Sequence, residues 1–406
     1  MLFEEEITYE SIVTEEVEAP TADDFEWPEV TVEEASAEEI VASIAQADKY
    51  IEAMEAFDGL ASAMTEKEEI DPASVQAVRI AVESTTQLLG TTAGLEELTL
   101  EQIADQPRDV MVVTMEAKDS MVKRVKDRVV AAFKRLIEMI KDLVAKIMNN
   151  KKAMIEKLDG LVKKAKKLKG GKDIKDTALF AKVHNAYYVS EGKSAKKIEA
   201  SGSIMSAYMI NQEGLIAVAS IFSSAQSVVE KAVTGEGSKK DLKAVKKDIA
   251  DGFASSFEKI KVKFKGDKKK GYYVLAVTPS KVYLAGKKPD NGEVSVEAVQ
   301  LPMVKEEGVI VSPKGDQAIA LIDASKKAIV ESVKGEQFVK TASGVGKELE
   351  KLAGDDKTAN AASAATAFLS SVGGAAAAAT SSSMTWAAVA GKVIAKAVEA
   401  EAKKDK

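Results

Sequence analysis

The chain has no cysteine and one histidine. Without cysteine, disulfides, thiolate metal sites and a Cys nucleophile are excluded. A single histidine excludes multi-His metal sites and leaves a Ser-His-Asp arrangement possible only through His184. That residue lies among apolar neighbours in Leu179-Phe180-Ala181-Lys182-Val183-His184-Asn185, which reads as a packed or surface side chain. Aromatics are 5% of the chain and prolines number 8, so the core must rest on Ala, Val, Ile and Leu, and helices can run long. The opening Met1-Leu2-Phe3-Glu4-Glu5-Glu6 is acidic where a secretory signal needs positive charge. No window of about 20 residues has the Leu/Ile/Phe content of a membrane span. Walker and dinucleotide-binding loops are absent: Gly235-Glu236-Gly237-Ser238-Lys239-Lys240 lacks the upstream glycine and the preceding strand. Pairs such as Glu15-Glu16 and Glu38-Glu39 sit in acidic runs, where solvated surface explains them. No residue presents itself as nucleophile, base or ligand, so neither an enzyme nor a metal or other cofactor is expected.

What is present is length and a divided charge. At 406 residues there is room for two or three domains. The formal net charge of −7 conceals an asymmetry. Residues 1–106 carry 28 Asp and Glu against 3 Lys and Arg, whereas the remainder carries 36 against 54. Such a contrast marks a segment with an electrostatic role, unless leader and helix simply pair within one fold.

The expected fold is mainly α, with long amphipathic helices and one small antiparallel sheet of about three strands. Residues 1–34 read as a disordered acidic leader. Residues 35–116 read as a small acidic helical domain, opened by a capping box at Ser36 and Glu39. Its further helices start at Asp71-Pro72 and at a second capping box, Thr99 to Gln102. Residues 117–265 read as a basic helical domain. Val122, Val125, Val129, Phe133, Leu136, Ile140, Leu143 and Ile147 recur every three or four positions, one apolar stripe on a helix of many turns. From Ala117 to Lys169 there are 17 Lys and Arg against 6 Asp and Glu. Asn149-Asn150 marks a bend or break, Gly170-Gly171 a stop, and Gly214 a break or cap. Residues 266–312 read as the sheet, with strands at Tyr272–Val277, Lys281–Leu284 and Glu293–Val299. Residues 313–354 read as a helix packing on it, and 355–406 as an Ala/Ser-rich helical or flexible tail with a turn at Gly373-Gly374.

The basic helix is the strongest functional signal. Lys123, Arg124, Lys126, Arg128, Lys134 and Arg135 can neutralise DNA phosphates without reading bases. Few aromatics are interleaved, which argues against stacking on single strands. The same helix could lie on an anionic membrane, or be the solvated face of a core helix.

The order of these features resembles the internal head proteins packaged inside the capsids of large tailed bacteriophages. The resemblance rests on Ala53-Met54-Glu55-Ala56-Phe57-Asp58-Gly59-Leu60 and Val78-Arg79-Ile80-Ala81-Val82-Glu83-Ser84 in the acidic part. It continues through the basic helix from Val125 to Lys146, the strands, and the helix from Gln317 to Val333. It runs from about residue 50 to about residue 350, and the Ala-rich tail has no match in it. The resemblance implies a structural protein of the virion, located in the capsid interior and in the host cytoplasm before assembly. Its implied partners are packaged double-stranded DNA, a prohead protease, and capsid or core proteins. Such a protease cuts after a glutamate two residues beyond a small or aliphatic residue. The resemblance thereby marks Glu116, in Thr114-Met115-Glu116, although Thr114 departs from that preference, and Glu83, in Ala81-Val82-Glu83. Cutting after Glu116 would leave a body with 53 basic and 34 acidic residues. Two alternatives stand beside this reading: a membrane-active protein ejected with the genome, and a scaffold-type assembly protein.

Overall fold

A computed structural model describes residues 72–88, 99–234, 242–258, 260–266, 269–287, 294–301, 308–332, 335–353 and 359–402. The expected disorder over 1–34, the helix from Ser36, the Asp71 cap and the 235–240 loop lie outside these residues. The described chain is mainly helical with two small three-stranded sheets.

Helix α1 (Pro72–Leu88) is followed by a short α2 (Leu100–Asp105). The capping box read from sequence is present at α2: Thr99 Oγ1 accepts from the Gln102 N–H at 3.2 Å, and Gln102 Oε1 accepts from the Thr99 N–H at 2.8 Å. Helix α3 (Pro107–Ala165) begins with Pro107 in its first turn and runs 59 residues, which at about 1.5 Å per residue makes a rod roughly 90 Å long. It passes through Asn149-Asn150 without a break. Asn150 stays helical and donates from Nδ2 to the Lys146 carbonyl one turn back, at 2.9 Å. The stripe from Val125 to Ile147 is buried as its spacing predicts.

After α3 the chain turns at Gly170 and Gly171, both at positive φ. Strand β1 (Asp173–Ile174), helix α4 (Thr177–Glu191), strand β2 (Lys197–Glu199), the long α5 (Ala200–Thr234) and α6 (Leu242–Phe257) follow. Next come β3 (Tyr273–Val277), β4 (Lys281–Lys287) and β5 (Val294–Gln300). These form the expected antiparallel sheet in the order β3-β4-β5, with a bulge between Val274 and Ala276. Thr278 closes the β3–β4 hairpin: its Oγ1 accepts from the Lys281 N–H at 2.9 Å.

A second sheet accompanies the expected one. Strand β6 (Val309–Val311) lies between β1, antiparallel to it, and β2, parallel to it. Strands of two and three residues are too short to show an alternating pattern, and their pairing joins positions far apart in the chain.

The 313–354 stretch is two helices, α7 (Gly315–Ser332) and α8 (Gly335–Ala353). Helix α7 packs chiefly on α3, α5 and the last helix, α9 (Ala359–Ala402), through buried Ala318, Leu321, Ile322 and Ile329. The sheet instead packs on α5 and α9.

The Ala-rich tail is the centre of the molecule. Helix α9 is unbroken through Gly373 and Gly374, so the expected turn there is not formed. Gly373 instead makes room for α3: a Cβ on it would come within 2.6 Å of Leu136 Cδ2. Helix α9 contacts α3, α4, α5, α6, α7, α8 and the sheet, and Trp386 is its largest fully buried side chain. Its small side chains allow close approach on every side. Most of its hydroxyls bond within their own helix, as where Thr366 and Thr380 donate to Ala362 and Ala376 carbonyls at 2.7 and 2.8 Å, while the buried Ser363 and Ser370 hydroxyls have no partner among the described residues.

Candidate nucleic-acid interface

The apolar interior falls into two clusters. The smaller joins Val75, Val78, Val82, Ile103, Val110, Met111 and Met121, with Met115, Ala117 and Val122 packed against it. The larger begins at Val125 and runs to Ala397. Both are threaded on α3, and the change from one to the other falls between Val122 and Val125. The first turns of α3 therefore belong to a small unit built with α1 and α2, and the rest of α3 belongs to the main core.

The charged residues singled out in the sequence lie at that division or beyond it, on the main-core part of α3. Lys123, Arg124, Arg128, Lys134 and Arg135 are exposed and Lys126 is half-buried, all on the outward side of α3. Their alignment follows from the apolar stripe, which turns the opposite side of the helix to solvent. Three of the six already have partners. Lys134 Nζ meets Glu350 Oε1 of α8 at 2.8 Å, and Lys126 and Arg128 are also engaged. Lys123, Arg124 and Arg135 make no ion pair among the described residues. The face thus offers a few free cations on a stiff rod, spread over roughly 18 Å from Lys123 to Arg135.

Glu116 is exposed, but its bond to Ala117 is helical, and Thr114 is fully buried with its hydroxyl donating to the Val110 carbonyl at 2.7 Å. Glu83 is half-buried in α1 and paired with Arg79 Nε at 2.9 Å, beside the fully buried Val82. Neither glutamate sits in the extended backbone that a protease cleft accepts. The buried Lys118 pairs with Asp119 at 3.1 Å.

His184 is buried between Phe180 and Tyr188, at ring-centroid distances of 5.7 and 6.5 Å, and its Nδ1 has no hydrogen-bond partner among the described residues. Burial lowers its pKa below the ordinary value, opposed in part by Asn185. No carboxylate among the described residues orients it, and it packs as a core histidine. No group of three or more metal-binding side chains occurs among the described residues.

These features define a mainly helical protein with a long, outwardly basic rod laid over an alanine-rich core. The chain belongs to the phiKZ-like phage internal head proteins, whose family model matches residues 14–400. Membership places it inside the phage head. No curated protein and no solved structure matches the chain.

Proposed function

We propose that this is a non-enzymatic structural protein of the head interior. Its acidic leader is removed by the prohead protease during assembly, and its basic body then associates with packaged DNA through phosphate contacts. One observation carries the reading: the charge of the chain reverses where the apolar core changes. Residues 1–106 are strongly acidic, α3 is basic from Ala117, and the small cluster gives way to the main one between Val122 and Val125. A leader that shares only Met121, Ala117 and Val122 of its cluster with the chain beyond Glu116 can be lost without dismantling the main core. Losing it removes negative charge that would repel DNA. While attached, the same acidic unit is suited to holding the precursor among capsid or core proteins.

The test uses protein recovered from mature heads. Its N-terminal residue is expected to be Ala117, and its DNA affinity to fall steeply with added salt. Recovery of only the chain beginning at Met1 sinks the processing step. Salt-insensitive binding sinks the phosphate step.

The membrane reading has one observation to answer. The region Ala361–Ala402 is apolar and long enough to cross a bilayer, but 83% of its qualifying 18-residue window is buried inside the protein. Inserting it would require withdrawing the central helix from the core. Absence of leakage from anionic liposomes removes that reading.

A further inference from the structure

A second basic region lies at the far end of α3. Between Gly160 and Lys172 the chain has six lysines and no Asp or Glu. Lys163, Lys164, Lys166, Lys167 and Lys169 are exposed, and none makes an ion pair among the described residues. The sixth, Lys172, is occupied by Glu401 at 3.2 Å and the Ala400 carbonyl at 2.9 Å.

The neighbouring carboxylates are also taken. Asp159 pairs with Lys326, Asp173 with Lys197 at 2.8 Å, and Asp176 with Lys396 at 3.1 Å. Burial works against ionisation of Asp176. The Leu179 N–H and the charges of Lys396 and Lys392 nevertheless hold its pKa below the ordinary value, so this acid stays committed. Asp316, in the first turn of α7, is the acid of this end left without an ion pair among the described residues.

The backbone beneath the lysines is fixed. The Gly171 N–H donates to the Ser312 carbonyl at 3.0 Å, the Ser312 N–H to the Lys172 carbonyl at 2.7 Å, and the Gly315 N–H to the Leu168 carbonyl at 3.0 Å. Gly170, at φ +73°, lies so close to Lys314 that a Cβ would meet its backbone nitrogen at 2.9 Å. This contact adds exposed Lys314 to the group.

We propose that Lys163, Lys164, Lys166, Lys167, Lys169 and Lys314 form a second phosphate-binding site for duplex DNA, separate from the Lys123–Arg135 face. The proposal rests on the DNA-association reading above and locates an additional place where that association occurs. Lysines without base-reading groups beside them bind phosphate as point charges. Their tethered backbone means that binding orders side chains alone. From Arg135 to Lys163 the rod spans roughly 40 Å, and over that stretch Glu138, Asp142 and Glu156 offset the intervening lysines. The two basic regions are therefore distinct. A membrane surface fits the second one poorly, because Leu161, Ala165 and Leu168 are buried and no large apolar side chain among the described residues is exposed beside the lysines.

The test compares full-length chains binding a short duplex across a salt series. One variant carries Lys163→Gln, Lys164→Gln, Lys166→Gln, Lys167→Gln and Lys169→Gln; a second carries arginine at the same five positions; a third carries Lys123→Gln, Arg124→Gln and Arg135→Gln. Each phosphate contact contributes roughly 0.9 to the log–log salt slope, so the first variant is expected to bind at least about tenfold more weakly with a slope flatter by about 3. The arginine variant should bind as the wild type does, and all should share its circular dichroism spectrum. Wild-type affinity and slope in the first variant, with loss in the third, overturns this site and leaves DNA association standing. Absence of salt-dependent binding in the wild type overturns both. Lost flotation with phosphatidylserine vesicles but unchanged DNA binding in the first variant overturns the site in favour of a membrane surface.

Discussion

Asn211 of α5 holds both backbone groups of Val277, the last residue of β3. The Val277 N–H donates to Asn211 Oδ1 at 2.8 Å, and Asn211 Nδ2 donates to the Val277 carbonyl at 3.2 Å. The same Nδ2 lies 2.6 Å from Ser382 Oγ of α9, and Trp386 Nε1 adds a bond to the Val277 carbonyl at 3.0 Å. One amide thus fastens the end of the sheet to the two long helices beneath it. Asn211 is 1% exposed, so water cannot replace what it supplies. Asn211→Leu leaves the Val277 N–H buried without an acceptor, at a cost of roughly 1–3 kcal/mol. Urea denaturation followed by tryptophan fluorescence measures it. Wild-type stability in the variant would show that the sheet does not depend on this bond.

Gly214 is the second attachment point of that sheet. Helix α5 continues through it, where the sequence suggests a break or cap. The reason for glycine is proximity: a Cβ built there collides with the Leu275 carbonyl oxygen in β3. Backbone cannot move aside as a flexible side chain can, so Gly214→Ala is expected to destabilise by about 3 kcal/mol or more. The control is Gly202→Ala, which meets nothing within 4 Å and lies in the same helix. It should be neutral or stabilising by up to about 1 kcal/mol. Equal melting temperatures for the two variants would contradict the close approach.

The contrast between these glycines bears on what could be read from the chain. Features that depend on neighbours in sequence were legible: the stripe from Val125 to Ile147, the Thr99–Gln102 capping box, the stop at Gly170-Gly171 and the β3-β4-β5 sheet. Features set by distant contacts were not. The tail from Thr358 onward has little apolar area per turn, yet α9 is central because small side chains admit six other helices and the sheet around it. The second sheet pairs Asp173 with Val311 through strands too short to leave a pattern. Asn211 gave one available signal, a polar residue at helical spacing from buried Ala207, Tyr208 and Ile204. At the candidate interface the lysines were countable. Which ones are already paired depends on partners such as Glu350 for Lys134, more than two hundred positions away.

His184 gives the fold a pH dependence with a definite sign. Burial holds its folded pKa below the ordinary value of 6.5. As pH falls through 6.5, the unfolded chain therefore takes up a proton that the folded chain refuses. Stability is full above that pH, declines as pH drops toward the lowered folded value, and levels off below it. The chain has one histidine, so the slope between about pH 7 and pH 5 belongs mainly to this residue, because carboxylates titrate lower. Unfolding midpoints at a series of pH values should show the decline in the wild type. His184→Phe, which keeps a ring beside Phe180 and Tyr188, should remove it. A variant with the same slope would assign the effect elsewhere.

Processing at Glu116 should be governed by opening of the small N-terminal unit. The bond after Glu116 is helical, and Thr114, within the recognition sequence, is fully buried and bonded to the Val110 carbonyl. A protease that reads extended chain must wait for the first turns of α3 to leave α1. Val78 is 1% exposed at the centre of that unit and distant in sequence from the bond. Val78→Ala removes buried apolar contacts worth about 2 kcal/mol, enough to raise the open population more than about tenfold when opening precedes cutting. Incubating full-length chains with the prohead protease should therefore show faster cutting in Val78→Ala. Glu116→Gln should resist cutting at this bond whether or not Val78 is changed. If Val78→Ala is cut at the wild-type rate while Glu116→Gln resists, the bond is correct but opening of this unit does not limit access to it.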